Sequence, residues 1–132
     1  NELLPGVSKL IEESKQCGFK IALGSASKNA IPILKKVNLI NSFDKIVDGT
    51  IVSLSKPNPE VFLRGAELLN LLPEQCLVFE DAQSGIFAAK NAQMKCVAIG
   101  NTFNLEGAEI VIESLEEISD IKLFISEYIL KE

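Results

Sequence analysis

Short apolar runs alternate with amphipathic helical segments along the chain, and this order limits the folds open to it. Apolar runs typical of buried strands lie at 19–23, 45–47, 75–79, 96–99 and 109–112. Helical patterns lie at 5–18, 27–37, 60–71, 85–92 and 119–130. Strands that are joined through helices favour right-handed crossovers and a parallel sheet with both faces covered. The sequence therefore predicts an α/β fold with a doubly wound parallel sheet.

No repeat, low-complexity stretch or linker divides the 132 residues, so we expect one Rossmann-like domain over 1–132. The 47% hydrophobic content is ordinary for a globular protein with a core. The net charge of −5 disfavours a nucleic-acid partner. No apolar run approaches the roughly 20 residues that span a bilayer, which disfavours a membrane partner.

The three cysteines, Cys17, Cys76 and Cys96, lack the spacing of a metal site. Cys76 and Cys96 fall in apolar runs and are therefore predicted to be buried free thiols. Free thiols fit a reducing compartment, so we expect a cytoplasmic protein. The chain contains no histidine, which excludes a histidine base, a histidine metal ligand and a Ser-His-Asp triad.

The segment FEDAQSG at 79–85 places Glu80 and Asp81 directly after an apolar run. Carboxylates at the end of a parallel strand lie where open α/β sheets bind ligands. Mg²⁺ favours one or two carboxylates together with waters and substrate phosphate. Glu80 and Asp81 therefore form the predicted metal site. The alternative is that the two acids only begin a helix, since carboxylates stabilise helix N-termini.

Small and polar residues follow the first predicted strand, and they are Gly24, Ser25, Ala26, Ser27, Lys28 and Asn29. Small residues let the backbone approach a ligand closely. The N–H groups at a helix start, with the Ser25 and Ser27 hydroxyls, predict an anion site to which Lys28 adds positive charge. Ser27 is equally suited to cap the helix without a ligand, and the two interpretations are compatible.

A third polar segment, SKPNP at 55–59, contains Lys56 between a predicted strand and a predicted helix. Pro57 and Pro59 restrict the backbone, so the base of the lysine is held in place. Lys56 could neutralise a phosphoryl group, and the alternative is an ordinary surface lysine. In a parallel sheet all three polar segments reach the same edge. An anion site, a lysine and two carboxylates together predict a phosphoryl-transfer site.

The three segments resemble, in order, three of the four motifs of the haloacid dehalogenase superfamily of phosphotransferases. The resemblance covers essentially the whole chain. It implies that Ser25, assisted by the Ala26 N–H, binds the transferring phosphoryl group. It also implies that Lys56 pairs with that group and with the nucleophile, and that Glu80 and Asp81 hold Mg²⁺ directly or through water.

Within the superfamily the sequence resembles the beta-phosphoglucomutase subfamily, on the stretches KIALGSASKNA, SKPNPEVF and FEDAQSGIFAAKNA. The resemblance implies a phosphorylated sugar as substrate. It implies interconversion of beta-glucose 1-phosphate and glucose 6-phosphate through an aspartyl phosphate and the 1,6-bisphosphate. It further implies that Ser27, Lys28 and Asn29 hold the second, non-transferring phosphate.

The superfamily's first motif, an apolar strand followed by Asp-x-Asp, does not occur in the chain. Its two aspartates act as nucleophile and as general acid and base. The resemblance therefore implies that 1–132 is the C-terminal portion of a longer enzyme, without the cap domain. The missing portion would precede it or be a separate chain. We expect this chain alone to be inactive. We also expect it to be poorly stable because its central strand is missing, unless another chain supplies that strand or the sheet closes up.

Two other functions stay open. A sugar-phosphate phosphatase of the same superfamily would share the chemistry up to the aspartyl phosphate and then admit water. A non-catalytic fragment or binding module would retain Lys56, Glu80 and Asp81 without using them. A simple dinucleotide-binding domain is disfavoured, because no G-x-G-x-x-G follows any predicted strand.

Overall fold

A computed structural model describes residues 5–25, 40–101 and 104–130. These ranges contain four α-helices and five strands, in the order α1 (Val7–Gln16), β1 (Ala22–Gly24), β2 (Lys45–Val47), α2 (Glu60–Leu69), β3 (Leu77–Glu80), α3 (Gln83–Asn91), β4 (Lys95–Ile99), β5 (Ile110–Ile112) and α4 (Ile121–Phe124). Short 3₁₀ turns lie at Ile40–Ser42, Pro73–Gln75 and Leu115–Glu117, and a π-helical turn, Ile125–Ile129, extends α4. The predicted α/β class is confirmed.

All strand pairs in the described ranges are parallel, and they form two sheets. β1 pairs with β2, with Leu23 opposite Ile46. β3, β4 and β5 form the second sheet in that order, with Val78 opposite Cys96. Among the described strands, β4 is hydrogen-bonded on both sides, and β1, β2, β3 and β5 each have one hydrogen-bonded neighbour. The parallel sheet predicted from the sequence is therefore present in two separate parts.

The core lies on both faces of β4, whose side chains alternate between them. Val97 and Ile99 belong to a cluster that includes residues of α1 and α4. Cys96 and Ala98 belong to a second cluster, with residues of α2 and α3. Helices thus cover both faces of the three-stranded sheet, as the doubly wound prediction requires. No helix in the described ranges is long and apolar enough to cross a membrane.

The first strand is displaced from its predicted position at 19–23. β1 begins only at Ala22, and Phe19 is 40% exposed. The Ile21 N–H donates to the Asp44 carboxylate at 2.7 Å, a contact that the local apolar pattern does not encode. The helix predicted at 27–37 lies outside the described residues.

The elements around the acidic pair also differ in their bounds from the prediction. Gln75 belongs to a 3₁₀ turn, and β3 runs from Leu77 to Glu80, so Glu80 is the last residue of the strand and does not follow it. α3 begins at Gln83, which places Gly85 inside its first turn. The last helix, predicted at 119–130, is α-helical only from Ile121 to Phe124 and continues as the π turn.

Candidate active site

Lys56 and Glu80 form an ion pair between the loop before α2 and the end of β3. The distance from Lys56 Nζ to Glu80 Oε2 is 2.9 Å. The two side chains are only 19% and 9% exposed. Such a pair is held in low-dielectric surroundings, where removing either partner leaves a poorly solvated charge behind. Lys56 and Glu80 were both singled out from the sequence, where they lie 24 positions apart, and the structure brings their side chains into contact.

The Glu80 carboxylate is fixed from two sides. Its Oε1 accepts hydrogen bonds from the Asp81 and Ala82 N–H groups, both at 3.1 Å. These N–H groups directly precede α3, where partial positive charge favours a carboxylate. Asp81 is exposed at the same end of the strand. The predicted metal site thus consists of one carboxylate that is hydrogen-bonded inside the protein and one that faces solvent.

The loop that carries Lys56 is tied to the helices on both sides of it. The Glu60 carboxylate accepts from the Ser53 N–H at 2.9 Å and the Leu54 N–H at 2.7 Å. These hydrogen bonds hold the pKa of Glu60 below its ordinary value. On the far side, Asn91 Nδ2 of α3 donates to the Pro57 carbonyl at 3.1 Å. The base of the lysine is therefore restrained by more than the two prolines.

Phe62, in the first turn of α2, links Lys56 to the end of β1. Lys56 Nζ lies 5.0 Å from the centroid of the Phe62 ring, within range of a cation–π interaction. A Cβ added at Gly24 would lie 3.3 Å from Phe62 Cε1, so the small residue lets α2 approach the strand closely. Sequence reasoning missed Phe62. The available signal was an apolar residue in the first helical turn after the lysine.

Ser25 follows β1 directly, at the same ends of the strands. Its N–H donates to the Val47 carbonyl at 2.7 Å, which fixes its backbone beside the end of β2. The remaining residues predicted to bind substrate, Ala26, Ser27, Lys28 and Asn29, lie outside the described residues. The structure therefore places the start of the predicted anion site, and the remainder of that site stays a prediction.

A buried acid that sequence reasoning gave no role follows β2. Asp48 is 5% exposed, and its Oδ1 accepts from the Thr50 N–H at 2.9 Å and from the Thr50 hydroxyl at 2.5 Å. These two hydrogen bonds hold the pKa of Asp48 below its ordinary value. Asp48 thus stabilises the turn that leads from β2 toward the lysine loop.

The donor set at β3 is compatible with Mg²⁺ as a partial site. Mg²⁺ commonly takes one or two protein carboxylates and completes its shell with water and phosphate oxygens. Asp81 offers an exposed carboxylate, with Glu80 beside it. Across 5–25, 40–101 and 104–130, no group of three or more Asp, Glu, Cys or His side chains is arranged to hold a metal. The remaining ligands of such an ion would have to come from water, substrate or other residues.

The sequence also matches a known protein family. The profile of the haloacid dehalogenase-like hydrolases covers residues 1–99. The chain belongs to this family. Members of the haloacid dehalogenase family related to this chain include phosphomutases and phosphatases, and enzymes of the superfamily generally use Mg²⁺.

Relatives in the haloacid dehalogenase family fall into both of these classes. The chain is 37% identical over 118 residues to the beta-phosphoglucomutase of Bacillus subtilis, covering 89% of this chain and 52% of that protein. It is 34% identical over 125 residues to a phosphorylated carbohydrates phosphatase of Thermotoga maritima, covering 89% and 58%. The chain thus spans little more than half the length of these relatives.

The fold agrees closely with that of a solved structure from a related protein. The crystal structure of beta-phosphoglucomutase from Clostridium difficile superposes with a TM-score of 0.90 at 39% sequence identity. The match covers 99% of this chain and 60% of that one. The resemblance to beta-phosphoglucomutases that the sequence indicated is therefore confirmed at the level of sequence and of fold.

Proposed function

We propose that these 132 residues form the phosphoryl-transfer core of a Mg²⁺-dependent enzyme that acts on phosphorylated sugars. The observation that carries the proposal is the Lys56–Glu80 ion pair at 2.9 Å, with Asp81 next to it at the end of β3. A cation and a metal-type carboxylate at one sheet edge suit a reaction in which catalysis is mainly positioning and charge neutralisation.

Each residue of the site has a proposed task. Lys56 neutralises negative charge on the transferring phosphoryl group, and Glu80 keeps the ammonium in place. Ser25, with the Ala26 N–H, binds the phosphoryl oxygens. Asp81, with Glu80 directly or through water, holds Mg²⁺. When bound, the ion would supply charge neutralisation at the phosphoryl group.

The nucleophile is proposed to come from outside these 132 residues. The chain contains no Asp-x-Asp, and it spans 52% to 58% of the relatives named above. The strand that carries the two aspartates would pair with β1 and β3, which, like β2 and β5, each have one neighbour among the described strands. It would belong to the same polypeptide or to a separate chain. By itself the 132-residue chain would then be inactive.

The proposed reaction is interconversion of beta-glucose 1-phosphate and glucose 6-phosphate. It is supported by the identities of 37% and 39% to the two beta-phosphoglucomutases. A mutase must hold a bisphosphate at both ends. We assign the binding of the second, non-transferring phosphate to Ser27, Lys28 and Asn29. The sugar phosphatase is the second candidate. It is supported by the 34% identity to the Thermotoga maritima enzyme.

A reducing cytoplasm is the proposed compartment. Cys96 is buried and Cys76 is partly buried, and neither forms a disulfide. Free thiols of this kind are typical of proteins that work where cysteines are kept reduced.

The test is an assay of the complete gene product with Mg²⁺ and beta-glucose 1-phosphate, primed with glucose 1,6-bisphosphate. Glucose 6-phosphate, read through a coupled dehydrogenase, supports the mutase. Stoichiometric release of inorganic phosphate supports the phosphatase. If neither product forms from this substrate or from a panel of other sugar phosphates, the proposed function is wrong. Chelation with EDTA should abolish the activity if Mg²⁺ is required.

A further inference from the structure

We propose that Gly85 is a positioning residue: the absence of a side chain there determines where the Glu80 carboxylate lies, and with it the Lys56 ammonium. The assignment of a catalytic consequence rests on the proposed function above. The steric part of the proposal stands on the contacts alone. Gly85 is buried in the first turn of α3, directly against the ion pair.

The three atoms nearest to the position that a Cβ would take at Gly85 all belong to Glu80. A Cβ built on Gly85 would lie 2.0 Å from Glu80 Cδ, 2.1 Å from Oε2 and 2.3 Å from Cγ. All three distances fall below 3.0 Å, which real Cβ atoms essentially never show. Any residue with a side chain at position 85 is therefore incompatible with the observed position of the Glu80 carboxylate.

Glu80 has little freedom to move away. Its Oε1 is held by the Asp81 and Ala82 N–H groups, and its Oε2 by Lys56 Nζ. The clash would involve Oε2 itself, the atom that binds the lysine. Displacing the carboxylate would therefore break the Lys56–Glu80 ion pair and move the lysine out of place.

Backbone conformation does not account for this glycine. Gly6, Gly18, Gly100 and Gly107 adopt positive φ, whereas Gly85 does not. Within a helix, glycine is less favourable than alanine, because it loses more conformational freedom on folding. At position 85 the chain accepts this disadvantage, and space for the neighbouring carboxylate is what it gains.

Gly65 in α2 provides a matched control. It too is buried within a helix, but a Cβ added there would lie 3.8 Å from Val47 Cγ2, an ordinary contact. Gly65→Ala and Gly85→Ala are thus the same chemical change in two helices. Of the two added methyl groups, only the one at position 85 would collide with a carboxylate.

The first experiment compares the two variants in the complete gene product. Gly85→Ala is expected to raise the Mg²⁺ concentration for half-maximal rate at least tenfold and to lower kcat at least tenfold. Gly65→Ala should change both by less than twofold. An unchanged Mg²⁺ dependence and kcat in Gly85→Ala would overturn the positioning role.

The second experiment separates this proposal from the proposed function, because it measures Tm and needs no activity. Gly85→Ala should lower Tm in the wild-type background. In a Glu80→Ala background the obstacle is gone, so the same change should raise Tm by about 2 °C, as alanine does in a helix. A Tm change of opposite sign in the two backgrounds supports the proposal even if no sugar phosphate proves to be a substrate. An equal loss of Tm in both backgrounds would show that Glu80 is not what excludes a side chain at position 85.

Discussion

At the scale of single residues, Lys56 is expected to contribute both to the proposed reaction and to the stability of the protein. We expect Lys56→Ala in the complete gene product to reduce kcat by at least 10²-fold, because charge compensation in the transition state is lost. It should also cost up to about 3 kcal/mol of stability, because Glu80 is left without its partner while 9% exposed. Steady-state kinetics and urea unfolding measure the two effects.

Lys122→Ala is the matched control for this change. Lys122 is an exposed lysine on α4. Its removal should leave kcat and the free energy of unfolding within the small range usual for surface substitutions. Near-normal turnover in Lys56→Ala would show that the lysine does not act in the transition state. Equal effects in both variants would point to a general loss of positive charge.

The three cysteines should differ sharply in reactivity. Burial, with the negative charges of Glu80 and Glu109, raises the pKa of Cys96 to about 12. At pH 8 only about one molecule in 10⁴ would carry the Cys96 thiolate, which is the reactive form. Burial also raises the pKa of Cys76, whereas Cys17 is exposed. We therefore expect iodoacetamide to modify Cys17 first, Cys76 more slowly and Cys96 last.

Peptide mass spectrometry of the native protein checks this order. In urea, where burial is removed, the three thiols should react at similar rates. If Cys96 in the native protein were modified as fast as Cys17, the β4 environment described above would be wrong.

At the scale of elements, Glu60 fastens the segment that presents Lys56. The pKa of Glu60 is lower in the folded state than in the unfolded state. The stability that the Glu60 carboxylate contributes is therefore fully present above the unfolded-state pKa of about 4.3. It is lost as the pH falls through the folded-state pKa. We expect Glu60→Ala to lower Tm at pH 7. The difference from wild type should shrink below about pH 4, where the wild type loses the same interaction.

Glu67→Ala on the same helix is the control for this experiment. Glu67 forms an exposed ion pair with Arg64, and such pairs contribute little. Thermal melts from pH 3 to 7 should therefore show a small Tm difference for this variant throughout. If the Tm difference of Glu60→Ala were constant down to pH 3, the Ser53 and Leu54 hydrogen bonds would not depend on the charge.

The same scale shows what the sequence could predict. The order of elements followed from alternating apolar and amphipathic segments, and β2 has the predicted bounds 45–47. The start of β1 could not be predicted, because the Asp44 carboxylate that binds the Ile21 N–H lies 23 residues away. Topology alone indicated that Lys56 and Glu80 reach one edge of the sheet. Their direct pairing, and the space that Gly85 leaves, depend on side-chain positions that no local pattern encodes.

At the scale of the whole molecule, the described strands fall into two sheets that are joined through helices and side chains. α2 packs on β1 and β2, α3 packs on β3 and β4, and the two helices touch. Among these strands, β4 is paired on both sides, and β1, β2, β3 and β5 each have one hydrogen-bonded neighbour. Unpaired strand edges favour association with other chains and leave backbone groups exposed to water. Poor stability of the isolated chain stays a prediction, and it rests on these strand edges.

We therefore expect the 132-residue polypeptide, produced by itself, to unfold in a broad transition at lower temperature than the complete gene product. Circular dichroism at concentrations where the chain is monomeric measures this transition. Hydrogen exchange locates the cause: amides of β4, which is paired on both sides, should exchange more slowly than those of β1 and β3. Adding a peptide that carries the Asp-x-Asp strand should slow exchange in β1 and β3. A sharp, cooperative transition of the monomer with uniform protection would contradict the expectation, since the two sheets would then form one stable unit without a further strand.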